Sequence, residues 1–191
     1  YNNYIPMDSY SNQRSVVGCV ATAMAQIIYY WNYPASVSFS SSDSYTTDSR
    51  RIKIDSDYQK YDFPSFTQLS SMLSDIQYNG NEDEIAALCF AAGISVDMDY
   101  TYSEGSGAYV ALVDNALKNK FSYTSATYSG GWSGISYTTL KSNMQDKKPA
   151  LLGITKSNGR DGHAIVADGY KSSGEYHLNF GWGTAGSDAW Y

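Results

Sequence analysis

Histidine, cysteine and charge are all scarce in this sequence. Two His and two Cys in 191 residues are too few for a four-thiolate zinc site, and two cysteines cannot knit a disulfide scaffold. Charged residues make up 17% of the chain, below the quarter or so usual in soluble proteins. Thirteen Lys and Arg against nineteen acids leave a net charge of -6, which provides no electrostatic footprint for DNA, RNA or anionic lipid. No apolar run approaches the ~18 residues that span a bilayer. No basic segment followed by an apolar one opens the sequence, so a signal peptide is not expected within it. Neither a metal nor another cofactor is implied.

What is present points to an ordered, packed protein. Hydrophobic residues reach 42% and aromatic residues 15%, with 19 tyrosines, enough for a real core and too aromatic for disorder. The surface this composition implies is polar without being charged, which leans towards an extracytoplasmic setting. No repeat and no clean linker divides the chain, so residues 1–191 are expected to form a single domain. Ser36 to Ser49 reads as a flexible polar loop or irregular hairpin, and Ser129 to Gly134 as a glycine-rich loop.

Helical spacing dominates residues 1–148. Cys19 to Trp31 places Val20, Met24, Ile27 and Trp31 on one face, with Ala21, Ala25 and Ile28 beside it, and predicts a helix buried nearly all round until Pro34. Further helices are predicted over Phe66 to Ile76, Glu82 to Ala92 (capped by Asn81 or nearby acids and ended by Gly93), Ala108 to Lys118 and Thr138 to Asp146. Beyond Pro149 the period changes. Ala150 to Thr155, His163 to Tyr170 and Glu175 to Phe180 read as strands, separated by turns at Ser157-Asn158-Gly159 and Ser172-Ser173-Gly174. Helices first and strands last predict an α+β fold.

One constellation carries chemistry. Cys19 lies near the start of the chain, His163 follows 144 residues later and Asn179 160 residues later, close to the spacing of papain-like proteases. Gly18-Cys19 opens the buried helix, where unsatisfied N–H groups and the macrodipole favour a thiolate and the Cys19 amide faces a developing oxyanion. Gly18 is expected to let a substrate backbone approach closely. His163 follows Gly159-Arg160-Asp161-Gly162, a loop suited to holding its ring at a cleft edge. Asn179, on the next strand, is placed to accept the His163 N–H, and Trp182 to shield that bond. Cys89, in Ala86-Ala87-Leu88-Cys89-Phe90, reads as core. His177 reads as structural, and Asp168-Gly169 as a turn.

The runs Gly18-Cys19-Val20-Ala21-Thr22-Ala23-Met24-Ala25-Gln26-Ile27, Gly162-His163-Ala164 and Tyr176-His177-Leu178-Asn179-Phe180-Gly181-Trp182-Gly183 resemble the streptopain family of papain-like cysteine peptidases. Gly93 to Tyr100 with Gly105-Ser106-Gly107 resembles its central segment. The resemblance implies a two-lobed papain-like fold, with a helical N-terminal and an antiparallel β C-terminal lobe. It also implies bacterial secretion as a zymogen with an inhibitory propeptide, and endopeptidase action on protein or peptide substrates with hydrophobic residues upstream of the cut. The catalytic residues would be Cys19, His163 and Asn179, with Gly18, Gly162 and Trp182 supporting them.

Three positions depart from the family pattern. Asn3 stands where the family has the Gln that completes the oxyanion hole. Phe180 stands where it usually has Trp. The family pattern also continues through another strand and a glycine-rich loop beyond the point matching Tyr191. A binding domain that kept the cleft, and a Cys-His-Asn acyltransferase or amidase, remain alternative readings.

Overall fold

Glycine before it and a left-handed asparagine after it bound the first helix. The computed structural model describes residues 1–130, 134–157, 161–183 and 188–191, and in it α1 spans Cys19–Trp31, the range the spacing predicts. Asn32 closes α1 with φ 48°, ahead of Pro34, which cannot continue a helix. Ala21, Ala23 and Ala25 are buried with Val20, Met24, Ile27 and Ile28. Trp31, expected on that apolar face, is 44% exposed because the last turn runs out of the core.

Helix α2 covers Phe66–Met72 and starts from a reciprocal cap, Ser65 Oγ accepting the Gln68 N–H and Gln68 Oε1 accepting the Ser65 N–H. It ends before the predicted Ile76, yet Leu73 and Ile76 are both buried. Their spacing reported burial, which a non-helical segment also satisfies. Helix α3, Glu82–Ile94, begins at Asn81, whose Oδ1 accepts the Asp83 and Glu84 N–H groups, and has three acids in its first turn. Every residue from Ala86 to Ile94 is buried. Gly93 lies inside α3 rather than ending it: the Tyr100 hydroxyl sits 2.1 Å from where a Cβ would be. A close approach, not a cap, requires glycine there. A 3₁₀ turn at Val110–Leu112 leads into α4, Val113–Asn119.

These elements belong to one compact unit, Tyr1–Ala126, in which α1 packs on α3 and Phe63, Phe90 and Tyr100 meet with successive ring centroids 5.9 Å apart. The polar segment 36–49 is tied to this core instead of lying loose on it. Val37, Phe39 and Thr47 are buried, a 3₁₀ turn at Ser41–Asp43 closes it with a reciprocal cap, and Thr46 bridges Lys53.

A second compact unit is Thr127–Tyr191. Its helix α5, Tyr137–Gln145, is capped by Ser136 Oγ accepting the Thr139 N–H. Strands β1 (Ala150–Ile154), β2 (His163–Tyr170), β3 (Tyr176–Asn179) and β4 (Asp188–Trp190) form an antiparallel sheet in the order β1-β2-β3-β4. Leu140 and Met144 of α5 pack on Ala167, with Leu152, Tyr170 and Leu178 around them. The change from helices to strands at Pro149 is as predicted, but the compact unit starts earlier because α5 covers the sheet. Strand β4 was not predicted; three residues are too few to show a period. The expected glycine-rich loop, turn and pre-histidine loop fall partly outside the described residues, at 131–133 and 158–160. The architecture is α+β, and among the described residues no helix is long and apolar enough to cross a membrane.

Candidate active site

Cys19 is the first residue of α1 and a half-buried free thiol. Gly18 has no side chain with which to cap the helix, and its carbonyl makes the first intrahelical bonds, accepting the Thr22 N–H and the Thr22 Oγ1–H, each at 3.0 Å. The N–H groups of Cys19, Val20 and Ala21 precede that first bond and have no side-chain cap. The helix therefore opens with donors and a positive dipole end at the sulfur.

Gly18 has φ 89°, and a Cβ there would come within 2.8 Å of Met98 Sδ and 2.9 Å of Ser106 O. The glycine is demanded by its own fold, a stronger reason than the substrate approach the sequence suggested. The segment 99–107, closed by the Asp99–Gly107 bridge, braces residues 16–18. Ser106 Oγ, buried, donates to Val16 O at 2.6 Å and accepts the Thr101 N–H at 3.0 Å, while the Val16 N–H donates to Thr101 O at 3.2 Å.

A buried ion pair secures that brace in turn. Asp8 is fully buried and accepts the Arg50 Nε–H at 2.9 Å and the N–H groups of Tyr102 at 2.9 Å and Tyr10 at 2.8 Å. Arg50 also reaches Glu104 at 2.5 Å and lies 4.3 Å from the centre of the Tyr10 ring. Burial alone pushes the Asp8 carboxyl up, but Arg50 and the three N–H donors from Tyr102, Tyr10 and Ser11 outweigh it and hold it well below the usual carboxylate range. The same contacts hold the Arg50 guanidinium firmly charged.

Asn3, expected to complete the oxyanion hole, is exposed and makes no hydrogen bond among the described residues. Its neighbour Asn2 is the one that reaches the segment before Cys19, Oδ1 accepting the Val17 N–H at 3.1 Å.

In the second unit, His163 starts β2 opposite Ile154 of β1. Its Nε2 is 2.9 Å from the carbonyl oxygen of Phe180. A carbonyl only accepts, so Nε2 is the donor in this contact. Phe180 is one residue beyond Asn179, the residue expected to accept the His163 N–H, so its carbonyl brings the same turn to the ring. Asn179 Oδ1 accepts the Gly181 N–H at 2.8 Å and so closes a turn around that carbonyl. Trp182 stacks on the His163 ring at 5.1 Å and 29°, Phe180 at 6.0 Å and 17°. Trp182 covers one face of the ring while itself 61% exposed. At Gly162 a Cβ would meet nothing nearer than 3.8 Å, so packing gives no reason for a glycine there.

His177, read from sequence as structural, bridges strands. Its Nδ1 is 2.6 Å from Asp168 Oδ1 and its Nε2 3.4 Å from Asp188 Oδ1, with Trp190 5.0 Å away. Asp168 sits at a register irregularity within β2 rather than in a turn. Cys89 is core, and burial pushes its thiol up to about 12. Sequence reasoning missed Asp8, Arg50, Ser106 and the Phe180 carbonyl. Only Ser106 had a local signal, its place within Gly105-Ser106-Gly107.

The family model described as the Peptidase C10 family matches residues 1–191. Streptopain of Streptococcus pyogenes is 32% identical over 186 residues, covering 92% of this chain and 45% of its own length. The thiol protease/hemagglutinin PrtT of Porphyromonas gingivalis is 26% identical over 203 residues, covering 95% of this chain and 21% of its own. The chain thus spans less than half the length of the curated relatives it matches. Among solved structures, active interpain A cysteine protease of Prevotella intermedia superposes with a TM-score of 0.71 at 27% identity, covering all of this chain and 79% of that one. A prointerpain A fragment gives 0.73 at 25%, covering all of this chain and 60% of its own. With its whole length matched and its fold shared with interpain A, the chain belongs to the Peptidase C10 family.

Proposed function

We propose that this chain is the peptidase domain, residues 1–191, of a secreted bacterial cysteine endopeptidase that cleaves protein or peptide substrates with hydrophobic residues upstream of the cut. The observation that carries the reading is Cys19 itself: a half-buried free thiol as the first residue of a long helix whose opening N–H groups no side chain caps. The Cys19 sulfur attacks the scissile carbonyl, forming a C–S bond while the carbonyl electron pair moves onto oxygen. The Cys19 main-chain N–H is one donor to that oxyanion. His163 Nδ1 takes the thiol proton and gives it to the departing amine as the C–N bond breaks. Water, deprotonated by the same nitrogen, then hydrolyses the thioester. Nε2–H donation to Phe180 O supports this assignment of nitrogens, and Asn179 acts by holding that turn. The likeness to a prointerpain fragment supports an inhibitory propeptide, and the polar, weakly charged composition supports secretion.

The test is digestion of casein by the chain before and after iodoacetamide. One alkyl group per chain is expected, on Cys19, with complete loss of cleavage; Cys89, with its thiol pushed up to about 12, stays unmodified. Cleavage that survives alkylation of Cys19, or none from the untreated chain, would reject the reading.

A further inference from the structure

We infer that His177 is a positioning residue for His163: paired with Asp168, it fixes the bulge at which strands β2 and β3 step by one residue, and that step presents Phe180 to the His163 ring. The inference rests on the cysteine peptidase reading above, in which His163 moves the proton, and names what sets its strand.

The turn between β2 and β3 imposes one register, and the site uses another. At the turn the Lys171 N–H donates to Glu175 O and the Gly174 N–H to Lys171 O, each at 2.9 Å, and Tyr170 stands opposite Tyr176. Continued regularly, that pairing would set Val166 opposite Phe180. Val166 instead stands opposite Asn179 and Ala167 opposite Leu178, because the ladder shifts between Ala167 and Gly169. Asp168 is the extra residue, the mark of a β-bulge. Side chains alternate along a strand, so a one-residue slip exchanges the faces of β3 relative to β2. With Val166 opposite Asn179, Phe180 falls on the face of His163, three residues before Val166. The two rings stack there at 6.0 Å and 17°, and Nε2 lies 2.9 Å from the Phe180 carbonyl. In the unshifted register Phe180 would lie on the other face.

A step of one residue can sit at any pair along a ladder unless side chains hold it. Here His177 lies across it. Its Nδ1 is 2.6 Å from Asp168 Oδ1, and a carboxylate oxygen accepts, so Nδ1 donates. Gly169, opposite His177, leaves no room for a side chain of its own: a Cβ would sit 2.9 Å from His177 Cβ and 3.0 Å from Cη2 of Trp190. On its other edge His177 meets β4, with Nε2 3.4 Å from Asp188 Oδ1 and the Trp190 ring 5.0 Å away. One imidazole thus touches the bulged residue, faces the glycine after it and reaches the next strand.

Three substitutions of His177 in the full chain test this by register and by rate. Asparagine places an N–H donor where Nδ1 stands, glutamine places one near Nε2, and alanine has none. In NMR spectra the parent should show cross-strand contacts between protons of Val166 and Asn179. His177→Ala and His177→Gln should add a second set between Val166 and Phe180. Their kcat on a peptide should fall by about tenfold or more with KM unchanged, since only chains in register turn over. His177→Asn should restore the single set of contacts and bring kcat to within about threefold of the parent, the remainder reflecting the lost contact with Asp188. Asp168→Ala should match His177→Ala, and the double variant should be no slower than either. Parental kcat in His177→Ala overturns the inference. So does a fall in kcat with the Val166–Asn179 contacts intact and alone, because His177 would then act by another route. Equal loss in His177→Asn and His177→Gln overturns it as well, and this pair carries the test should His177→Ala fail to fold. Register is read without turnover. A parent chain that shows the Val166–Asn179 contacts yet cleaves no peptide rejects the peptidase reading, while the hold of His177 on the bulge is still decided by the contacts.

Discussion

Cys19 and His163 are immobilised by different physics. Around Cys19 the restraints are steric and buried: a glycine at φ 89° with no room for a Cβ, a buried Ser106 hydroxyl between two main-chain strands, and a fully buried Asp8 pinned by Arg50. Around His163 they are open to water. One main-chain carbonyl takes Nε2, a half-exposed indole covers the ring, and the preceding glycine has free space. Steric and buried ionic restraints fail abruptly when one atom is added or one partner removed. Stacking and single hydrogen bonds fail by degrees. The Cys19 side should thus be brittle and the His163 side tolerant.

The largest effect is expected at Asp8. Asp8→Ala leaves Arg50 without its buried partner and three main-chain donors without an acceptor, which costs about 3–5 kcal/mol. Urea unfolding should show it; a shift below about 1 kcal/mol would mean water reaches the pair freely. The pH dependence follows from the same site. Asp8 titrates lower folded than unfolded, so its contribution is complete above the ordinary Asp value of about 3.9 and is lost as pH falls below it. Acid unfolding below about pH 4 should be steeper in the parent than in Asp8→Ala.

Gly18→Ala comes next. The new methyl would meet Met98 Sδ at 2.8 Å and Ser106 O at 2.9 Å at a φ that non-glycine residues avoid, a strain of about 1–3 kcal/mol. Because the strain falls on the residue before Cys19, iodoacetamide should modify this variant far more slowly than the parent. An unchanged rate would show that the brace is softer than its contacts suggest. Trp182→Ala should cost less, since losing a stacked aromatic neighbour is worth about 0.5–1.5 kcal/mol and His163 keeps its bond to Phe180. Turnover should fall by about tenfold or less; complete inactivity would show that the indole does more than cover the ring. Smallest is Gly162→Ala, whose methyl meets nothing closer than 3.8 Å. Its thermal midpoint should correspond to a change within about 0.5 kcal/mol, and a larger loss would break the claim that the histidine side is tolerant.

Local patterns explain what was legible in the sequence. The start of α1 at Cys19, the switch to strands at Pro149 and the core position of Cys89 are all decided within a few residues of chain. Helix ends were less legible where burial outran helicity, as at Leu73 and Ile76, and where a glycine answered a distant side chain, as Gly93 answers Tyr100. β4 was invisible because its only signal is its pairing with β3.

The site divides along the same line. Residue type and order alone determined that Cys19 opens a buried helix, that His163 stands at the head of a strand, and that an asparagine follows on the next one, because each depends on spacing along one element. Which carbonyl meets His163 Nε2, which asparagine touches the segment before Cys19 and what holds residues 16–18 still were decided only in three dimensions. Phe180 offers a carbonyl like any other residue's, Asn2 and Asn3 are identical in chemistry, and Asp8 meets Arg50 across 42 residues of sequence. No periodicity encodes such contacts. They exist because the folded chain brings a donor within about 3 Å of an acceptor where water is excluded, and only there does the contact gain its strength.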